Sequence, residues 1–427
     1  MIRIWTDRLP AGVLDRNRPS ADSRRLGSTF VYEPGTEAQR AVSVTMPVRL
    51  ASWDTAYGVA PIFEMNLPEG ALRERLRMAF AKATGTFDDL DLLTIVGRTQ
   101  LGRIRFTAVD ADLDEDVPFQ SVDEILSSRR GGELYRYLIE KFAVHSGISG
   151  VQPKVLVRDE GKLSGGSETK RVLSPSFRGA THIVKFWDPA EFPELAANEF
   201  FCLKAAERCG LQVPPHRLAE DGSALVMERF DLRADGSYRG LEDFCVLNGR
   251  RTEEKYRGSY ETGVMKRFQQ FARSENLLAE SLALFTLFAL NAAIRNGDAH
   301  LKNFAILYDD VEGDAHLAPV YDLVTTTVYL AQDRMALTMN GSNQWPSAKD
   351  LIQFGERRSL GTRQTFLKLF ERIGDALTDT SREVETYSRE RPEFAAIGQR
   401  MVEQWEMGRR ESLKLLERGN LRVGEGT

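Results

Sequence analysis

The sequence predicts an α+β protein of two lobes, preceded by an extra β-rich subdomain and ending in a mostly helical half. Three observations carry this. Up to about residue 108, short strand-like pieces (IRIW, STFVY, VSVTMPV, GRIRF) alternate with turn residues, with one or two helices expected, the first starting at Pro68-Glu69-Gly70. Between residues 119 and 230, strand-like segments flank a single long helical repeat. From Leu241 onward, apolar residues recur at helical spacing through long segments, and strand signals are few, chiefly FAILYD and RMALTM. The expected units are residues 1–108, 119–230 and 231–427. A chain of 427 residues with 42% hydrophobic content is long enough to bury two or three cores.

Taken in order, the acidic run VDADLDEDVP, Val109 to Pro118, joins the first two units. It lacks the glycine turn and closing glutamate of a calcium loop, so it reads as a solvated connector. HSGISGVQPK, His145 to Lys154, then precedes a strand-like VLV. Clusters of Ser, Gly and Pro are ordinarily turns, but Gly147 and Gly150 also let backbone N–H groups approach a phosphate closely. Gly150, Val151, Gln152 and Lys154 are the nucleotide-facing candidates of this loop. DEGKLSGGSETKR is a polar hairpin tip expected to be mobile.

THIVKFW alternates like a half-buried strand and sets Lys185 near its end, where an ammonium can reach phosphates. Such a lysine gives its charge mainly to the ligand, so its removal should spare the fold. ELAANEFFCLKAAERCG is a helix closed by Gly210 and followed by Pro214 and Pro215. Glu199 on that helix, with Glu194 as its rival, is the candidate to hold the Lys185 ammonium. SALVMERFDL reads as a hinge strand: the backbone near Glu228 can meet an adenine, and Phe230 can pack on the ring.

RNGDAHLKNFAIL, Arg295 to Leu307, follows the apolar helix LLAESLALFTLFALNAAI. Asp298 and Asn303 stand five apart, and Asp322 of PVYDL lies nineteen residues after Asn303. At that spacing a kinase-type loop uses its aspartate to orient an acceptor hydroxyl and its asparagine to hold Mg²⁺; Asp322 suits the second metal carboxylate. Within the loop, His300 lies among the nucleotide-facing candidates and is read chiefly as a residue that holds the loop together. Lys302 is the candidate to neutralise a migrating phosphoryl group. A D-x-x-x-x-N match alone is weak, and Asp298 could simply cap the turn that follows. Its weight comes from the order of the parts: glycine loop, strand lysine, helix glutamate, hinge, catalytic loop, metal aspartate. That order is expected of a kinase-like two-lobed enzyme using ATP and Mg²⁺. Gly297, not an arginine, stands directly before Asp298, where regulated protein kinases carry one, so dependence on a phosphorylated activation loop is not expected.

GISGVQPK, HIVKF, NEFFCLKAAE, MERFD, NGDAHLKNF and PVYDL together resemble the HipA family of serine/threonine kinase toxins. PIFEMNLPEGALRERL and LLTIVGRTQLGRIRF resemble that family's additional N-terminal subdomain, so the resemblance covers nearly the whole chain. It implies a protein kinase that arrests growth by phosphorylating a translation component such as an aminoacyl-tRNA synthetase. It also implies a small helix-turn-helix antitoxin, HipB-like, as partner, with DNA reached only through that antitoxin. Self-phosphorylation of a glycine-loop serine is a further implication. Where the family often has that serine this chain has Gly147, which leaves Ser149 as first acceptor candidate and Ser146 as second. Val246 stands where the family usually has a glutamine, which bears on one nucleotide-adjacent contact.

A net charge of −5 and a pI near 5.8 give no sign of a nucleic acid as main direct partner. Cys202, Cys209 and Cys245 lack any C-x-x-C pattern and read as buried thiols of a reducing cytosol. No secretory signal opens the chain, and the run Leu277 to Ile294, broken by Glu280, Ser281, Thr286 and Asn291, reads as a buried helix. A cytoplasmic protein without a membrane partner is the expectation. Two other readings stay open. Small-molecule kinases of the aminoglycoside or choline type share the loop, but usually carry a histidine where Asn296 stands and lack the β-rich N-terminal unit. A pseudokinase acting only as partner of a repressor is the other, against which the intact Lys185, Asp298, Asn303 and Asp322 set argues.

Overall fold

The computed structural model describes residues 1–17, 26–84, 87–128, 131–159, 162–163, 171–174, 176–188 and 190–415. The N-terminal unit is an antiparallel sheet of β1 (Ile2–Thr6), β2 (Leu9–Arg16), β3 (Ser28–Tyr32), β4 (Trp53–Thr55) and β5 (Ile104–Ala108), in the order β4-β3-β2-β1-β5. Alternation in IRIWT buries Ile2, Ile4 and Thr6 and leaves Arg3 and Trp5 partly exposed. β1 turns into β2 through Asp7 and Arg8, both at positive φ (+52° and +62°), as tight hairpins matched to strand twist require. VSVTMPV is not the strand its alternation suggests. It forms a turn in which the Glu242 carboxylate accepts from Ser43 Oγ at 2.7 Å and from the Val44 N–H at 2.8 Å, so a side chain takes the place of a strand partner. The helices α1 (Pro61–Glu64), α2 (Gly70–Thr84) and α3 (Asp89–Val96) complete this unit.

After α4 (Val122–Ser127) and α5 (Gly131–Phe142) comes β6 (Lys154–Val157), then a short hairpin of β7 (Lys162–Leu163) and β8 (Arg171–Val172). Of the tip expected to be mobile, residues 159–171, residues 160–161 and 164–170 lie outside the described residues. β9 (His182–Lys185), α6 (Leu195–Arg208), β10 (His216–Leu218) and β11 (Leu225–Glu228) follow, and the sheet order is β10-β11-β9-β6, all antiparallel. The register sets Lys154 directly opposite Lys185. One continuous core joins Ile4 and Phe106 of the first sheet and Phe63 of α1 to Val155, Val184 and Val226 of the second sheet. The N-terminal unit is therefore packed onto this lobe, not tethered to it.

The rest of the chain builds a small sheet of β12 (Gly240–Asp243), β13 (Ala305–Tyr308) and β14 (Ala315–Leu317) among helices. These are α7 (Phe244–Leu247), α8 (Lys266–Phe271), α9 (Leu277–Ala293), α10 (Ala348–Arg357), α11 (Arg363–Glu390) and α12 (Pro392–Gly408). FAILYD supplies β13, whereas RMALTM forms only isolated bridges through Thr338 and Met339. A second core packs α6, through Phe201 and Leu203, against Phe285 and Phe288 of α9 and Phe366 of α11. Among the described residues no helix is long and apolar enough to cross a membrane. The three cysteines are free and buried. Just past the end of α9, Arg295 at positive φ (+60°) turns the chain into the loop of Asp298. Its buried guanidinium pairs with Glu411 and lies 5.1 Å from the Trp345 ring centre, which anchors that turn.

Candidate active site

Lys185 ends β9 and is almost wholly buried between two carboxylates, donating to Glu199 on α6 and to Asp322. Glu194, the rival, points elsewhere: it sits at the start of α6 at φ +60°, near Arg391 and Asp221, and burial raises its pKa to about 7. Desolvation alone would discharge Lys185, but the two carboxylates hold its pKa above the ordinary lysine value. Desolvation likewise opposes charge on Asp322, yet Lys154 and Lys185 hold it well below the usual carboxylate range. Burial keeps the Glu199 carboxyl raised despite Lys185, and its Oε2 is buried without a partner. Lys154, facing Lys185 across the sheet, is buried and lowered. Two ammonium groups and two carboxylates thus share one corner, buried except at the Asp322 side chain.

In the loop after α9, Asp298 accepts from the Tyr256 hydroxyl at 2.7 Å, and its own N–H donates to Asn296 Oδ1 at 3.1 Å. Burial raises the Asp298 pKa, and Tyr256 and Lys255 offset part of that rise. Asn303 Oδ1 accepts from the His300 N–H at 3.1 Å and so closes the turn between them. His300 is buried, its Nδ1 has no partner, and desolvation with Lys255 and Lys302 nearby pushes its pKa down to about 3. It is a neutral ring. Tyr321, next to Asp322, donates to the Lys302 carbonyl at 2.9 Å and stacks on Phe230 at 5.7 Å, linking the segments of Asp322, Lys302 and Phe230. Glu228 ends β11 with its N–H on the Pro215 carbonyl at 2.9 Å.

The glycine loop meets an unexpected neighbour. The Gly150 N–H, at φ +111°, donates to Glu69 Oε1 at 3.0 Å, and the same carboxylate pairs with Lys302 at 3.4 Å and Lys255 at 3.5 Å. Lys302 also donates to the Met65 carbonyl at 3.1 Å and to Thr252 Oγ1 at 3.2 Å. The candidate phosphoryl-neutralising lysine is engaged by the N-terminal unit. Gln152 Nε2 donates to the Phe186 carbonyl at 3.0 Å, and Val151 is exposed. Ser149 is partly exposed. Ser146 must be corrected as an acceptor: it is fully buried, with its hydroxyl donating to the Phe142 carbonyl at 2.8 Å and accepting from the Leu156 N–H at 2.9 Å. A phosphoryl group has no route to it in this fold. Gly147 packs against Thr99 and Gln100, where a Cβ would meet the Thr99 carbonyl at 2.5 Å. Val246 is buried within α7.

Glu69, Tyr256 and Arg229 are absent from the residues that sequence spacing singles out. Arg229 follows the apolar strand as a charged residue that reads as surface, yet it is fully buried. It pairs with Asp231 at 2.6 Å and donates to the Gln100 carbonyl at 2.8 Å, fastening the hinge to the N-terminal unit. Each of the three reaches its partners across long sequence separations or through a turn without periodicity.

Residues 2–107 match the family model described as HipA N-terminal domain, and residues 146–382 match the HipA-like C-terminal domain. Two proteins of Sinorhizobium fredii whose names class them provisionally as kinases are similar in sequence. Y4mE is 32% identical over 77% of this chain and 78% of its own, and Y4dM 27% identical over 74% and 77%. In fold, the chain is similar to the HipA of Shewanella oneidensis MR-1 solved with HipB and operator DNA, with a TM-score of 0.60 and 18% identity over 96% of this chain and 97% of that one. With its N-terminal domain and the greater part of its lobes both matched, this chain belongs to the HipA family.

Proposed function

We propose that the chain is an ATP- and Mg²⁺-dependent protein serine/threonine kinase, the growth-arresting toxin of a toxin–antitoxin pair. The observation that carries the reading is Lys185, held between Glu199 and Asp322, with Asp298 and His300 of the Asp298–Asn303 loop within electrostatic reach of Asp322. Kinases need that lysine fixed by a helix glutamate beside the metal aspartate. The residues fit the ligands: Lys154, Lys185 and the Gly150 N–H are donors suited to phosphates, and the Asp322 carboxylate and Asn303 amide offer hard oxygens suited to Mg²⁺. Among the described residues no three His, Cys, Asp or Glu side chains converge, so a metal here would need oxygens from the nucleotide as well. Mg²⁺, when bound, neutralises charge on the phosphate oxygens.

The chain's own groups then have distinct tasks. Lys185 and Lys154 bind and orient the phosphates. Asp298 orients the acceptor hydroxyl and takes its proton, a task helped by its raised pKa. With the Glu228 N–H already on the Pro215 carbonyl, the adenine edge would be met by the other hinge backbone groups after β11, with Phe230 and Tyr321 as its apolar wall. Lys302 can serve the phosphoryl group only by exchanging Glu69, Met65 or Thr252 for it. A small helix-turn-helix antitoxin as partner is supported by the fold shared with a protein solved beside HipB and operator DNA. A translation component such as an aminoacyl-tRNA synthetase is the proposed substrate, and the cytoplasm the proposed location. The test is a phosphoproteome taken after brief expression of the chain and of its Asp298→Asn variant. A new phosphoserine or phosphothreonine confined to the active chain supports the reading, and identical phosphoproteomes contradict it.

A further inference from the structure

Tyr256 lies between α7 and α8, in the segment TEEKYRG, and no part of the mechanism above uses it. Its hydroxyl donates to Asp298 Oδ1 at 2.7 Å, the contact that an acceptor hydroxyl makes with the aspartate in phosphoryl transfer. The ring is held there. It stands edge-on to His300 at 5.1 Å, and Lys255 Nζ lies 5.4 Å from its centre. The residue is nonetheless 51% exposed, so the ring that contacts the base is open to solvent. Ser146, in contrast, is sealed in the core.

We propose that Tyr256 is a self-phosphorylation site, the chain's own acceptor seated on Asp298; the proposal rests on the kinase reading of this site. Tyr256 Oη attacks the γ-phosphorus of ATP and forms a new O–P bond. The bond from that phosphorus to the β–γ bridging oxygen breaks, ADP leaves with the electron pair, and the phenolic proton passes to the Asp298 carboxylate. Burial, then Asp298 itself, keeps the phenol protonated until that moment, so a base in contact is required. The product carries about −1.5 to −2 charges next to Asp298. Repulsion drives the modified ring off the base, and Lys255 and Arg257 on the same segment are cations for it to meet. Held by those cations at the edge of the site, the phosphate meets an incoming foreign acceptor with added negative charge and bulk. Transfer would thus silence the enzyme without any loop serine.

The experiment uses the full chain, first dephosphorylated with alkaline phosphatase, then incubated with Mg²⁺ and ATP. ADP release, intact mass and peptide mapping are followed together. The expected result is one added phosphoryl group at Tyr256, absent from Tyr256→Phe and Asp298→Asn. It should form at a rate unchanged by about tenfold dilution, because acceptor and base share one chain. ADP release by the wild type should match the phosphotyrosine formed and then stop, and Tyr256→Phe should lose that burst. Wild-type chain that releases ADP but carries phosphate only elsewhere, or none, overturns the proposal and leaves the kinase reading standing. Chain that gives neither ADP nor a thermal shift with Mg²⁺-ATP overturns both.

Discussion

At the scale of single residues, Lys185 shows how a side chain read as a ligand contact also becomes part of the structure. A strand-end lysine is expected to spare the fold when removed, but here the ammonium is 2% exposed and shared by Glu199 and Asp322. Removing one member of a buried pair leaves uncompensated charge and costs about 3–5 kcal/mol. Asp322 is 33% exposed along its side chain, so the lower end applies. Lys185→Ala should lose about 3 kcal/mol in urea unfolding, and adding Glu199→Gln should return part of it, because the stranded carboxylate is then neutral. Additive losses would show that the pair does not couple. The proximity of Lys185 and Glu199 was legible because strand and helix are adjacent in the chain, with apolar periodicity fixing which helix face turns inward. Glu69 and Tyr256 were not legible: Glu69 looks like the first turn of a surface helix, and Tyr256 sits in a charged turn.

At the scale of elements, the glycine loop is defined as much by what it packs against as by its own composition. Gly147 donates its N–H to the Thr99 carbonyl at 2.9 Å, and a side chain there would collide with that carbonyl and with Gln100. Gly147→Ala should therefore destabilise the protein by about 1–3 kcal/mol, as overpacking typically does. Its melting temperature should fall, and an unchanged value would mean that the loop does not press on the N-terminal unit. The same contact gives a physical reason why a serine cannot simply be restored at this position. Strand reading fared differently from element to element. IRIW alternates and FAILYD is a continuous apolar run, and both are paired, whereas VSVTMPV alternates but spends its donors on Glu242, a residue about two hundred positions away. Local pattern cannot foresee a partner of that kind.

At the scale of the whole molecule, Glu69 is the clasp between the N-terminal unit, the glycine loop and the catalytic loop. Burial would raise its pKa, but Lys302, Lys255 and the Gly150 N–H together hold it below the ordinary value of 4.5. A carboxyl depressed by folding contributes stability that is present above its unfolded pKa and lost as pH falls through its folded one. Stability of the wild type should therefore decline below about pH 4.5 more steeply than that of Glu69→Gln. Parallel pH profiles would remove the clasp. The α+β, two-lobed plan could be read from periodicity alone, because it depends on which segments repeat at two and which at 3.6 residues. The shared core of Ile4, Phe106, Val155 and Val184 could not, because it depends on how two sheets meet.

The central claim is that Asp298 acts on the acceptor and not on the nucleotide. Asp298→Asn keeps the size of the side chain and its hydrogen bond from Tyr256 while losing the charge that receives a proton. The decisive measurement pairs single-turnover phosphoryl transfer from Mg²⁺-ATP with nucleotide affinity in the same preparation. The account predicts transfer reduced by about a thousandfold with Kd for Mg²⁺-ATP little changed. Transfer near the wild-type rate in Asp298→Asn would contradict it.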